Sequence, residues 1–210
     1  MVLRTIKYME IVHVKAIVLR EAQFRENDKM LTCFSDKFGK ISVSVRGAKK
    51  IGSKFTAVAQ LFCYSDMELY CGKGGIYTLK DAQLIESFYG LREDLDRLTV
   101  AGKILRLACK VTQEQLEDEE SLRLLLNSLF FLSRGIVPKE LIYCVYRMRL
   151  VAIQGYFPNV TCKYIGTEQA LEHICEAPME KLFGFNVSDE VLGELDGICD
   201  KLVSEMTEGA

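Results

Sequence analysis

Hydrophobic and polar residues alternate with a period of two through much of the first part of this chain. Five such segments stand between turn signals: IVHVKAIVLR, KMLTCFS, KISVSVR, LFCYSDMELYC and IYTLKDAQLI. This alternation is typical of strands with one buried face. Glycine-rich breaks such as Gly72-Lys73-Gly74-Gly75 suit hairpin loops. Small all-β units close to avoid exposed edges, so we predict a five-stranded oligonucleotide-binding (OB) barrel over residues 1–86.

Beyond Phe88 the apolar residues recur at spacings of three and four, which is the pattern of amphipathic helices. The following helices are predicted: residues 91–116, residues 118–134, Pro138 to Gly155, a last helix capped by Ser188, and a short fifth helix. The predicted fold class is therefore α+β, with the barrel followed by an all-α helical bundle over residues 87–210.

Charge is unevenly distributed along the chain. Within residues 1–80, fourteen Lys and Arg face seven Asp and Glu, a balance of +7, which leaves about −9 for the remainder because the whole chain sums to −2. The segment KFGKISVSVRGAKKIGSKF, residues 37–55, contains no acid. A cationic strand face suits a phosphate backbone, so a nucleic-acid contact confined to the barrel is indicated. The alternative is an ordinary solvated charged face.

The candidate interface consists of cations that would meet phosphates and tyrosines that would stack on bases. Its predicted members are Lys37, Lys40, Arg46, Lys49, Lys50, Lys54, Tyr70, Lys73 and Tyr77.

Other chemistry finds little support in the sequence. The chain has no Cys-x-x-Cys pair and two histidines, and its glycine-rich turn lacks the spacing of a phosphate-binding loop. We see no nucleophile beside a plausible base, no apolar run long enough to span a bilayer, and no secretory signal. We therefore expect a cytoplasmic, nucleoid-associated protein that is neither an enzyme nor a membrane protein and that needs no cofactor.

Several motifs, taken in order, carry a family resemblance. The stretch REAQFRENDKMLTCFSDKFGKISVSVRGAKK, then Gln60-Leu61-Phe62, a glycine turn and the strand IYTLKDAQLIE together resemble the RecO family of recombination mediators. The most specific parts are the acidic turn Glu26-Asn27-Asp28, the turn Phe38-Gly39-Lys40, and Arg46-Gly47-Ala48-Lys49-Lys50.

The resemblance implies an OB barrel followed by a helical domain, and a function without turnover chemistry. It implies a protein that binds single- and double-stranded DNA, anneals complementary strands, and helps to load a recombinase onto single strands coated by single-stranded DNA-binding protein in recombinational repair. RecR is an implied partner. From the residues alone, an RNA-binding barrel protein and a protein-interaction adaptor remain alternatives.

The helical domain of the family is thought to bind the acidic, hydrophobic C-terminal tail of single-stranded DNA-binding protein. The third predicted helix mixes cations with aromatic and apolar residues, a combination that suits such a tail. We predict that Tyr143, Arg147, Arg149 and Leu150 contact it. The alternative is a bundle helix with two ordinary surface arginines.

Many relatives also carry a four-cysteine zinc module in the helical domain. Its first pair would fall here at Cys162 and Ile165, and its second at Cys175 and Pro178, so two of the four ligands are missing. Structural zinc needs four closed ligands. The region near 156–180 is therefore predicted to be a degenerate module without metal.

Overall fold

The computed structural model describes residues 10–156 and 160–208. The chain forms two compact units. The first, the barrel unit, comprises the residues up to Ser87 together with Thr112–Asp118, and the second, the helical unit, comprises Phe88–Val111 and the residues from Glu119 onward.

The barrel unit contains five strands that close on themselves in the order β1-β2-β3-β5-β4. Their bounds are β1 Ile11–Gln23, β2 Lys29–Ser35, β3 Gly39–Val45, β4 Tyr64–Cys71 and β5 Ile76–Glu86. All neighbouring strands are antiparallel except β3 and β5, which run parallel. The long β1 pairs with β4 along its first half and with β2 along its second half, with a bulge between Val18 and Arg20. The predicted barrel and fold class are confirmed.

The alternation in β3 places its side chains as the sequence indicated. Ile41, Val43 and Val45 are buried in the barrel core, whereas Ser42 and Ser44 are half-buried on the outer face. Because successive side chains of a strand point to opposite faces, one apolar row fills the barrel and the polar row is left for the surface.

The helical unit contains α1 Leu95–Val111, α2 Glu119–Arg134, α3 Lys139–Ile153, α4 Ile165–Glu176 and α5 Asp189–Glu208. The predicted cap of the last helix is present, since Ser188 Oγ accepts a hydrogen bond from the backbone N–H of Val191 at 3.4 Å. Gly155 adopts φ +84° just after α3, where the sequence placed its end. No helix in the described parts of the chain is both long and apolar enough to cross a membrane.

Helix α1 is shorter at both ends than the predicted 91–116. At its start, Asp94 Oδ1 accepts the backbone N–H groups of Asp96 and Arg97 at 2.9 and 3.0 Å, which caps the helix four residues later than expected. At its end, Glu114 bridges to Gly39 and Lys40 at the start of β3, so residues 112–118 belong to the barrel unit. Pairing with a strand has overridden the helical periodicity of this segment.

Candidate nucleic-acid interface

The loop that joins β3 to β4, residues 46–63, begins with a turn fixed to the turn between β1 and β2. Asp28 Oδ1 accepts the backbone N–H of Gly47 at 2.8 Å, and the carbonyl of Asn27 accepts the N–H of Lys49 at 3.1 Å. Ala48, between them, is buried in the barrel core. Gly47 has φ +67°, which glycine adopts without strain. The acidic turn and the cationic turn therefore form one ordered unit.

This turn presents three cations, Arg46, Lys49 and Lys50, which we call the loop cations. All three side chains are exposed. Across residues 10–156 and 160–208, no carboxylate lies within ion-pair distance (4.0 Å) of any of them. Because Ala48 is held in the core, the cations on either side of it are carried by a fixed backbone. Their charge is available to an anion from outside the barrel.

Other predicted cations of the barrel have partners of their own. Lys54 Nζ lies 2.7 Å from Asp81 Oδ1, and this bond holds the pKa of Asp81 below its usual range. Lys37 Nζ donates to the carbonyl of His13 at 2.7 Å.

The two remaining predicted cations are not placed beside the loop cations. Lys40 is half-buried, and it lies about 20 Å from Arg46 along β3, at a rise of 3.3 Å per residue. The backbone of Lys73 lies in a short turn, and the side chain of Lys73 is outside the part of the chain that the structure describes.

The two predicted stacking tyrosines differ in exposure. Tyr77 is 8% exposed and stacks on Phe38 with ring centroids 6.0 Å apart inside the barrel core, and burial raises its pKa. Its ring is not offered to a base, which corrects the prediction for this residue. Tyr70 is half-buried, with Lys80 Nζ 5.8 Å from its ring centroid. Tyr77 shares its strand parity with buried Leu79, and this signal in the sequence would have identified it as a core residue.

The outer face of the barrel beside the loop cations carries residues that the sequence prediction omitted. Thr32 of β2 pairs with Arg20 of β1 on one side and Ser42 of β3 on the other. Ser44 pairs across the parallel ladder with Thr78. Buried residues flank Thr32 on β2, Ser42 and Ser44 on β3, and Thr78 on β5, so these hydroxyl groups share one face. Hydroxyl groups can donate to phosphate oxygens as well as accept.

In the helical unit, Arg147 joins α3 to α5. Its guanidinium binds the carboxylates of Asp196 and Asp200, and its side chain is only 4% exposed. The same guanidinium lies 4.3 Å from the ring centroid of Tyr143, and Leu150 is buried. These residues hold two helices of the bundle together. The prediction that Arg147 and Leu150 form a partner-binding surface is therefore corrected.

Arg149 is engaged on the other side of α3. It donates to the carbonyls of Ile174 and Cys175 at the end of α4, and its Nη2 lies 3.1 Å from Glu120 Oε1. A cation at a helix C-terminus is favoured by the helix dipole. Arg149 thus anchors α4, and it does not share a surface with Arg147.

A groove of about 1050 Å³ lies between α1, α3 and α5. One wall is basic, formed by Lys103, Arg106 and Lys110 on successive turns of α1, all exposed. None of the three has a carboxylate within ion-pair distance among the described residues. Tyr143 lies in the groove, 5.5 Å from Lys103 Nζ by its ring centroid. The lining on α5 is acidic, with Asp189, Asp196 and Asp200, and the last two carboxylates bind Arg147. The basic wall on α1, together with Tyr143, is the cationic and aromatic surface that the sequence prediction sought on α3 alone.

Comparison with known proteins decides the family. The family description "Recombination protein O N terminal" matches residues 9–88, and "Recombination protein O C terminal" matches residues 92–175. The chain belongs to the RecO family.

Three relatives illustrate the similarity, and each is named DNA repair protein RecO. That of Acetivibrio thermocellus is 32% identical, with 95% of this chain and 93% of the relative covered. That of Clostridium novyi is 29% identical over 90% of this chain and 77% of the relative. That of Clostridium perfringens is 25% identical over 94% of each chain. The chain is thus a member of a family of DNA repair proteins.

The region predicted to be a degenerate RecO zinc module is built around α4. Cys162 precedes α4 and Cys175 lies near its end, and the helical residues from Ile165 to Cys175 span about 15 Å at 1.5 Å per residue. His173 of α4 lies 3.3 Å from the carbonyl of Lys181 and packs on Phe185. Among the described residues, no cluster of three metal-binding side chains is present.

Helix α4 is instead held at both ends by opposite charges. At its N-terminus, the carboxylate of Glu194 from α5 accepts the backbone N–H of Lys163 at 2.5 Å, that of Tyr164 at 3.3 Å and the hydroxyl of Thr167 at 2.5 Å. The hydrogen bond from Thr167 is the main reason that the pKa of Glu194 is lowered. Arg149 holds the other end. These charges match the helix dipole, and α5, which lies beyond the residues matched to the family, supplies one of them.

Proposed function

We propose that this RecO-family chain is a DNA-binding mediator of recombinational repair without turnover chemistry. In this proposal it binds single- and double-stranded DNA, anneals complementary strands and assists the loading of a recombinase onto coated single strands. Family membership supports the general role in repair, and the barrel supports the contact with DNA.

The observation that carries the proposal is the set of loop cations on an anchored turn. Each cation that meets a phosphate releases condensed counterions, which favours binding most strongly at low salt. Because Asp28 and buried Ala48 already fix the turn, less conformational entropy is lost when DNA binds. The adjacent hydroxyl face offers hydrogen bonds to the backbone of the nucleic acid. These contacts suit binding that is independent of sequence, as annealing of arbitrary complementary strands requires.

The proposed site for the acidic, hydrophobic tail of single-stranded DNA-binding protein is the groove of the helical unit. Lys103, Arg106 and Lys110 are exposed cations without acidic partners among the described residues, and Tyr143 adds an aromatic surface. Carboxylates of the tail would meet the basic wall while its apolar end packs in the groove. This site replaces Arg147 and Arg149, whose charges are already engaged. RecR remains a proposed partner on the basis of family membership.

Fluorescence anisotropy of the full chain with labelled single-stranded DNA, duplex DNA and RNA, each at several salt concentrations, tests the proposal. We expect both forms of DNA to bind, with an affinity that falls steeply as salt rises. A strong preference for RNA would favour the RNA-binding alternative. If the chain binds no nucleic acid at low salt, the alternative function as a protein-interaction adaptor would be favoured. Energy transfer between two labelled complementary strands coated with single-stranded DNA-binding protein then measures annealing.

A further inference from the structure

The tip of the β3–β4 loop carries a large apolar side chain, Ile51, that is fully exposed at 106% of its reference area. Within residues 10–156 and 160–208 the next most exposed large apolar side chain is Leu95, at 77%. Exposure of this degree adds nothing to folding stability, because the hydrophobic effect acts on area that is removed from water. Turn positions of this kind are ordinarily polar. Ile51 is therefore poorly explained by the fold of the barrel.

The backbone that carries Ile51 is held on both sides. The carbonyl of Lys50 accepts the N–H of Ser53 at 3.0 Å, which closes a turn with Ile51 and Gly52 at its centre. Gly52 has φ +75°, the conformation that a type II turn requires at its third residue. After the tip the chain returns to the core through Val58, which is buried. Ile51 thus projects from an ordered turn.

The surroundings of Ile51 define the chemistry of its partner. Lys49 and Lys50 precede it and are unpaired among the described residues, and Lys54 follows it in an exposed ion pair with Asp81. A partner that satisfies this arrangement needs anions close to a flat apolar surface. A DNA strand offers both, since its phosphates alternate with base faces. Apolar side chains, isoleucine among them, are known to wedge between base steps.

We propose that Ile51 inserts between neighbouring bases of bound DNA while Lys49 and Lys50 hold the flanking phosphates. This proposal rests on the DNA binding proposed above and adds a contact that depends on base stacking. Insertion costs less in a single strand than in a duplex, where a stacked and paired step must first be opened. Ile51 therefore favours single strands over duplexes.

The first test uses tryptophan fluorescence, because the chain contains no tryptophan. Ile51→Trp places a unique fluorophore at the tip, and Ile165→Trp, at an apolar position of the helical unit that is 76% exposed, is its matched control. With saturating oligothymidylate, we expect the emission of Ile51→Trp to be quenched by stacking on bases. The emission of Ile165→Trp should not change.

The second test measures affinity by anisotropy. We expect Ile51→Ser to weaken single-strand binding about tenfold, which corresponds to about 1.4 kcal/mol. Its duplex affinity should change less, its salt dependence should equal that of the parent, and Ile51→Leu should restore the parent affinity. If Ile51→Trp binds DNA without any change in emission, or Ile51→Ser binds single strands as tightly as the parent, insertion is overturned while DNA binding stands. If the parent chain binds no DNA, both proposals are overturned.

Discussion

Removal of the Asp28 side chain distinguishes two contributions to DNA affinity, namely preorganisation of the β3–β4 loop and the charge near the loop cations. Asp28→Ala deletes the acceptor of the Gly47 N–H, which lies 2.8 Å away, and it also removes a negative charge from the neighbourhood of the loop cations. These two effects act on DNA binding in opposite directions. Asp28→Asn is the matched control, because it removes the same charge but keeps an oxygen that can accept the bond.

The expected magnitudes decide which effect dominates. A hydrogen bond to a charged group contributes about 1.5 to 3 kcal/mol. Without it, we expect the turn to adopt its DNA-binding conformation in only a minor fraction of the molecules. If that form is about one-fifth populated, the apparent dissociation constant rises about fivefold. Relief of repulsion between one carboxylate and a phosphate about 10 Å away contributes only about 0.4 kcal/mol in water. We therefore expect Asp28→Ala to bind more weakly.

Anisotropy titration of single-stranded DNA at one salt concentration checks this expectation. Asp28→Ala should bind about fivefold more weakly than the parent, from the same population argument. Its salt dependence should not change, because the bound state makes the same phosphate contacts. Asp28→Asn should bind as well as the parent or slightly better. If both variants bind equally and more tightly than the parent, charge alone governs the site and the anchored turn has no role.

Three further predictions concern the helical unit. Glu194→Ala should lower the free energy of unfolding, as loss of a helix cap does. Because the folded pKa of Glu194 lies below its usual value of 4.5, urea titrations should show this difference in full above pH 4.5, and the difference should shrink as pH falls through the folded pKa. Arg147→Glu should lower the free energy of unfolding by about 3 kcal/mol or more, since it places a buried carboxylate beside Asp196 and Asp200. Arg147→Met should lower it much less, because both of those carboxylates are exposed, and equal losses in urea unfolding would contradict the role given to the pair. Replacement of Lys103 and Arg106 by Glu should weaken binding of an acidic tail peptide by about tenfold or more, which corresponds to about 1.4 kcal/mol. Calorimetry measures this affinity, and an unchanged value would contradict the assignment of the groove as the tail site.

The barrel was predictable from the sequence because its signals are local. Ile41 and Ser42 already show the two faces of β3, and the turns between strands carry glycine or short polar residues. Helix α1 was predicted less well. Its apolar periodicity continues past Val111, and only the pairing of Glu114 with β3, which depends on contacts distant in sequence, shows that the helix has ended.

The candidate site was predictable in its charges but not in their partners. From the sequence, Arg46 and Lys54 are equally good candidates for a phosphate contact. In the structure, however, Lys54 forms an ion pair with Asp81 of β5. Arg147 and Arg149 have the composition of a surface site, but contacts across helices place them inside the bundle. Pairing of this kind depends on tertiary structure, which composition does not specify.

The most direct test of DNA binding by the barrel compares two triple variants that lose the same charge. The first variant replaces the loop cations Arg46, Lys49 and Lys50 by Ala. The second replaces by Ala three cations of the barrel that already have partners, namely Lys37, Lys54 and Lys80. In single-strand titrations at several salt concentrations, each lost phosphate contact reduces the log–log slope by about 0.7. We expect the first variant to flatten the slope by about 2 and the second to change it far less. Equal flattening by both variants, or an unchanged slope in the first, would contradict the assignment of the loop cations as the DNA contact.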